Sequence, residues 1–283
     1  MRLGLALSGG GIRGVAHAGV LKALEENGIK VDVIGGTSCG SFVASLYAMG
    51  YSPYYIYKLF ELYAKEIINI NGAPILSGIG NYILSKKVKI SGFRTGESIE
   101  KIFDEIASRK GIKTIKDIKM PIAIPTVDVS SSEEFIFSNI IPENSENYIS
   151  NISVGKAVRA SSSFPVFFSP CKYEEHKFLD GGTLNNVPVI PVKKLGTDKI
   201  IAVNFSADAI EENSNLMDIV MKTIDIMGNK ISEDGLKEAD YILTVPSDKT
   251  GLLDIQKMHK CYKFGYDAVY EKIDEIKKII DII

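Results

Sequence analysis

Two glycine-rich turns near the amino terminus constrain the fold of this chain more than any other feature. The first is Ser8-Gly9-Gly10-Gly11-Ile12-Arg13-Gly14, which follows the apolar run Leu3-Gly4-Leu5-Ala6-Leu7. The second is Gly36-Thr37-Ser38-Cys39-Gly40, which follows Val31-Asp32-Val33-Ile34 and precedes an apolar stripe at Phe42, Val43, Leu46 and Tyr47. Short apolar runs ending in turn signals read as buried parallel strands, and the periodic stripes after them as helices. The resulting alternation predicts an α/β sheet with helices on its faces. Strand-to-helix turns of such a sheet collect at its carboxyl edge, where ligands bind, so the two turns are expected to face one site.

The second turn fits a nucleophile elbow, G-x-S-x-G, in which Gly36 and Gly40 let the strand reverse sharply and leave the Ser38 hydroxyl exposed at the bend. The first turn reads in two ways. Gly9, Gly11 and Gly14 satisfy the dinucleotide pattern G-x-G-x-x-G, but that pattern expects an acidic residue closing the second strand. Here the second strand closes in Gly-Gly-Thr-Ser, and Asp32 sits at its beginning. The other use for the glycines is a concavity of backbone N–H groups suited to the oxyanion of acyl transfer. A nucleotide-binding regulatory protein using Gly9 to Gly14 therefore remains the alternative from another functional class.

Composition narrows the field further. The chain of 283 residues is long enough for a sizeable core, and one domain over 1–283 is expected. The 33 basic and 35 acidic side chains leave a formal charge of −2, which gives no footprint for nucleic acid. Cys39, Cys171 and Cys261 are odd in number and far apart, so they form neither a disulfide framework nor a metal motif. A reducing, cytoplasmic setting is the expectation. The segment Met1-Arg2-Leu3 runs straight into a strand without an apolar leader, and no run is long enough to span a bilayer. Membrane contact is expected to be peripheral.

Farther along, five tyrosines and Phe60 crowd residues 51–63, which suits either a helix packed on the core or a lipid-facing surface. Residues 69–98 are rich in glycine and are expected to form a loop flap. A helix is expected at Ile99, Ile102, Phe103 and Ile106, and a strand from Met120 to Val129 whose ladder Pro121 and Pro125 weaken. Residues 133–138 suit a hairpin partner, and 139–152 a polar loop. A short helix at Val154, Ala157 and Val158 is expected to stop at Ser161-Ser162-Ser163-Phe164-Pro165 and to bring that end towards the site. Later strands are expected at 199–205 and 241–245, with a helix at 216–227 between them, and the chain closes on one amphipathic helix striped by Tyr262, Tyr266, Val269, Ile273, Ile276 and Ile280.

A serine nucleophile needs a base, and the three histidines serve poorly. His17 shares a helix face with Leu21 and Leu24 and reads as a buried structural residue. His259 continues the apolar stripe of the last helix, and His176 lies in a polar, exposed segment. A strand at Lys177-Phe178-Leu179 instead ends in Asp180-Gly181-Gly182, which ordinary turn chemistry also explains.

Taken together, Ser8-Gly-Gly-Gly-Ile-Arg-Gly, the Gly36-Thr-Ser-Cys-Gly elbow, Ala160-Ser-Ser-Ser-Phe-Pro and Asp180-Gly-Gly resemble the patatin-like phospholipases, over about residues 3–195. The resemblance implies a three-layer α/β/α fold with a mostly parallel sheet, and a serine–aspartate dyad of Ser38 and Asp180 without histidine. It implies an oxyanion loop at Gly9, Gly10 and Gly11, and places Arg13 at a basic position that either binds a lipid phosphate or stabilises the loop. Gly181 and Gly182 complete the acid motif. A phospholipid or other acyl-ester substrate follows, with no metal or organic cofactor. A soluble esterase or thioesterase with the same dyad is the nearest alternative. Cys39 occupies a variable position of the elbow and is not expected to be the nucleophile.

Overall fold

The computed structural model describes residues 1–68, 95–165, 167–206, 216–248, 250–251 and 254–280. The expected flap at 69–98 falls mostly outside the described residues. Among these, nine strands form one sheet: β1 (Leu3–Leu7), β2 (Val33–Gly36), β3 (Ile122–Asp128), β4 (Glu133–Ser138), β5 (Tyr148–Ile149), β6 (Cys171–Tyr173), β7 (His176–Asp180), β8 (Lys199–Phe205) and β9 (Tyr241–Val245). The main path runs β5-β4-β3-β2-β1-β8-β9, and its centre from β3 to β9 is parallel. β1 and β2 are buried at every position, as strands covered by helices on both faces must be.

The helices are α1 (Ala16–Glu26), α2 (Cys39–Ala48), α3 (Pro53–Ile68), α4 (Glu97–Ser108), α5 (Val154–Ser161), α6 (Val189–Lys194), α7 (Leu216–Leu236), α8 (Met258–Glu271) and α9 (Ile273–Ile279). One apolar cluster joins Leu5, Leu21, Phe42, Phe103 and Val269, and a smaller one on the other face joins Val33, Val189, Val192 and Ala202. Helices α1 and α8 touch backbone to backbone, because a side chain at Gly19 or Gly265 would collide with the Tyr262 or Ala16 carbonyl.

Strand β3 explains how the sheet builds a site. Its first half pairs with β2 through Ile122 and Ala123, but β2 ends at Gly36. The edge left free is taken by β7 running the opposite way, with Thr126 opposite Asp180. β7 therefore runs head-on into the end of β2. Pro125 sits where the two partners change over. Its carbonyl faces Gly181, so its missing N–H points to the same junction, where no ladder bond is lost.

Several expectations need correction. The terminal amphipathic stretch is two helices, broken at Lys272, which has neither helix's regular geometry (φ −117°, ψ 12°). The helix expected at 216–227 continues to Leu236, and the 139–152 loop contains the short strand β5. The aromatic stretch divides, since Tyr57 and Phe60 are buried whereas Tyr54 and Tyr55 are exposed.

Candidate active site

The elbow is built by close approach of backbone to backbone. A Cβ at Gly40 would stand 2.5 Å from the Leu7 carbonyl oxygen and 2.7 Å from that of Ser8, and one at Gly36 would strike the Gly40 carbonyl. With both positions reduced to glycine, the end of β2 turns into α2 directly beside the end of β1. Ser38 stands at the bend with φ 52° and ψ −121°, a conformation that costs a non-glycine residue on the order of 1–3 kcal/mol. Two hydrogen bonds, one distant in sequence and one local, hold it there. The Ser38 amide donates to Ser161 Oγ at 3.0 Å, and the Ser41 hydroxyl donates to the Ser38 carbonyl at 2.6 Å. Ser38 remains half-buried, so part of the residue stays open to solvent.

The first glycine turn lies over this bend. A Cβ at Gly9 would be 3.4 Å from the Ser38 Cβ, and one at Gly14 would strike the Cys39 sulfur. Gly10 and Gly11 have φ 157° and 59°, and at Gly11 the left-handed value favours glycine. Gly9 is a correction to the expected oxyanion donors, because its amide already donates to the Asn186 carbonyl at 3.0 Å. Arg13 is also placed differently from a phosphate ligand. It is 5% exposed, donates from Nε to the Gly10 carbonyl at 3.2 Å and lies 5.4 Å from the Phe205 ring centroid. This placement supports the loop.

Asp180 arrives at the same point from β7. It is 2% exposed, and its Oδ1 accepts the Gly182 amide at 2.8 Å. Burial pushes its carboxyl up from 3.8 to about 6, while the Ser38 side chain and the Gly182 amide hold back part of the rise. The Ser38 side chain is thus a near neighbour of the acid, and Oδ2 is buried with no hydrogen-bond partner among the described residues. Gly181 has no room for a side chain against the Pro125 carbonyl, and a Cβ at Gly182 would stand 3.0 Å from Asp180 Oδ1.

The serine segment at the end of α5 joins the two residues, as its expected approach to the site implied. Ser161 accepts from Ser38, and the Ser163 carbonyl accepts the Asp180 amide at 3.2 Å. Arg159, which the sequence did not single out, is 2% exposed and ties this segment down. It donates from Nε to the Thr95 carbonyl at 2.5 Å, from Nη2 to the Ser169 carbonyl at 2.6 Å, and to the Ser163 hydroxyl. Asn186 was missed as well. The only signal for either was a polar side chain beside a recognised motif.

None of the histidines bonds to Ser38. His17 is fully buried with Nε2 on the Ser8 carbonyl at 2.9 Å, and burial pushes it down to about 4, so it is neutral and structural as expected. His176 is half-buried rather than exposed, because β7 sets it 3.0 Å from Asp128. His259 faces solvent near the Tyr57 hydroxyl instead of continuing the apolar stripe. Burial pushes the Cys39 thiol up to about 12, so it carries no thiolate near neutrality. Among the described residues no helix is long and apolar enough to cross a membrane.

Comparison with known proteins agrees with this layout. Residues 5–193 match the family model for patatin-like phospholipase. Lysophospholipase NTE1 of Meyerozyma guilliermondii is 29% identical over 310 aligned residues, covering 99% of this chain and 20% of that protein. Lysophospholipase nte1 of Aspergillus fumigatus is 34% identical over 212, covering 75% of this chain and 12% of that protein. The chain thus spans a fifth or less of the length of these relatives. VipD from Legionella pneumophila shares the fold with TM-score 0.51 at 15% identity, over 97% of this chain and 67% of that one. Fold, ordered motifs and family match agree, and the chain belongs to the patatin-like phospholipase family of lipid acyl hydrolases.

Proposed function

We propose that this chain hydrolyses fatty-acyl esters of phospholipids or lysophospholipids through an acyl-Ser38 intermediate, with Asp180 as the base. The observation that carries the reading is a strained, half-buried serine beside a buried carboxylate whose Oδ2 has no hydrogen-bond partner among the described residues. The relatives named above are lysophospholipases, which favours a single-chain lipid as substrate.

In the first half-reaction Ser38 Oγ attacks the ester carbonyl carbon and gives its proton to Asp180. The negative charge forming on the carbonyl oxygen is held by the Gly10 and Gly11 amides, beside the positive end of α2. The Gly10 amide lies against the Cys39 sulfur, a weak acceptor that an oxyanion displaces. Collapse of the tetrahedral species breaks the ester C–O bond, and the leaving alcohol takes the proton back from Asp180. Water then attacks the acyl-serine with Asp180 accepting its proton, and the free fatty acid and Ser38 hydroxyl are regenerated. An ordinary aspartate is too weak a base for this near neutrality; one raised to about 6 is ionised there and better matched to the transfer. The oxyanion loop, the single-domain organisation and a peripheral, cytoplasmic setting belong to the same proposal.

Wild type, Ser38→Ala and Asp180→Asn are to be assayed on a short-chain chromogenic ester, a thioester and lysophospholipid. Each substitution is expected to lower kcat/KM by about a thousandfold or more. Full activity in either variant defeats the dyad. Turnover of the ester or thioester without lysophospholipid favours a general esterase or thioesterase.

A further inference from the structure

The dipeptide Asn185-Asn186 lies where the three motifs meet. The Thr37 hydroxyl of the elbow donates to the Asn185 carbonyl at 2.8 Å, and the Asn185 amide donates to the Gly181 carbonyl of the acid turn at 2.8 Å. One residue on, the Asn186 carbonyl accepts the Gly9 amide of the first glycine turn at 3.0 Å. A buried backbone group has no water to replace a lost partner, so each of these bonds fixes a loop.

Asn186 is itself held by α7. Its amide donates to Ser232 Oγ at 2.9 Å, and its Nδ2 donates to Asn229 Oδ1 at 3.0 Å. The Ser232 hydroxyl completes the chain by donating to the Gly228 carbonyl at 2.9 Å. Residues 228, 229 and 232 share one helix face, and that face seats on the acid turn. A Cβ at Gly228 would stand 2.7 Å from the Gly182 carbonyl oxygen, so only glycine allows the approach. Asn186 and Ser232 are 9% and 4% exposed, which keeps water from substituting for either bond.

We infer that Asn186 is a positioning residue for the acyl-transfer site, and that α7, which lies wholly outside the family-matched residues 5–193, holds it through Asn229 and Ser232. The inference rests on the hydrolase reading. Anchoring the Gly9 amide fixes the direction of the next two amides, those of Gly10 and Gly11. Donors that must be aimed before the reaction lose effect when their loop drifts, even by a fraction of an ångström.

The test uses the full chain with Asn229→Ala and Ser232→Ala, and with Asn229→Asp and Ser232→Thr, which keep an acceptor oxygen. On a short-chain ester the alanine variants are expected to lose about tenfold in kcat with KM within about twofold, and the conservative variants to recover most of it. Hydrogen exchange at the Gly9 amide needs no catalysis and is expected to accelerate about tenfold in the alanine variants only. Unchanged Gly9 exchange in both alanine variants overturns the inference whatever kcat does, as does a kcat loss shared equally by the conservative variants. A wild type that neither cleaves esters nor reacts at Ser38 defeats the hydrolase reading instead, and Gly9 exchange then decides alone whether α7 holds the loop.

Discussion

Ser38 and Asp180 reach the site by different routes. Ser38 is set by a short stretch of chain: two flanking glycines, a strand behind it and a helix ahead. Asp180 is set by the ending of β2 at Gly36, which frees the edge of β3 for β7. The nucleophile half is rigid because backbone fills its space, so its conformation depends on missing side chains. The acid half holds an ionisable group in a place that disfavours its charge. One half is sensitive to added atoms, and the other carries an electrostatic cost that the proposed role of Asp180 as base would explain.

The largest expected effect sharpens that contrast on the nucleophile side. Gly40→Ala puts a methyl group 2.5 Å from the Leu7 carbonyl oxygen, and neither strand nor helix can move aside cheaply. A loss of about 3 kcal/mol or more in unfolding free energy is expected, measured by denaturant titration. Wild-type stability in this variant would break the comparison.

On the acid side the expected effect has the opposite sign. Asp180→Asn keeps the oxygen that accepts the Gly182 amide but removes the buried charge. The folded-state value, raised from 3.8 to about 6, makes ionisation unfavourable to the fold. The penalty is absent below 3.8, grows between 3.8 and about 6, and is full above that. Asp180→Asn is therefore expected to stabilise the protein at pH 7.5 by on the order of 1–3 kcal/mol while abolishing activity, with no gain in acid. Thermal unfolding at both pH values measures this, and equal stability throughout would contradict it. The smallest effect is expected between the halves. Cys39→Ser is expected to keep kcat/KM within about threefold, because the thiol is pushed up to about 12 and performs no step.

The same contrast explains what could be read without coordinates. The elbow, the glycine loop and the strands around them are coded by neighbouring residues, and the motif order brought Asp180 in with them. The supporting contacts were not legible. Nothing local in Asn186 or Ser232 tells that residues 46 positions apart will bond, since that follows from where α7 docks. Nothing in the short helix around Arg159 shows that its carbonyl partners lie 64 positions before it and 10 after it. Gly9 looked equivalent to Gly10 and Gly11 until Asn186 took its amide. His176 passed for exposed because its partner Asp128 is on another strand.

The central claim, that Ser38 and Asp180 act as one unit, is tested most directly by the rate of fluorophosphonate labelling as a function of pH, with the modified peptide identified. Labelling at Ser38 is expected to rise through an apparent pKa of about 6 and to fall by at least about a hundredfold in Asp180→Asn. Modification at another residue, or at Ser38 with an undiminished rate in Asp180→Asn, would contradict it.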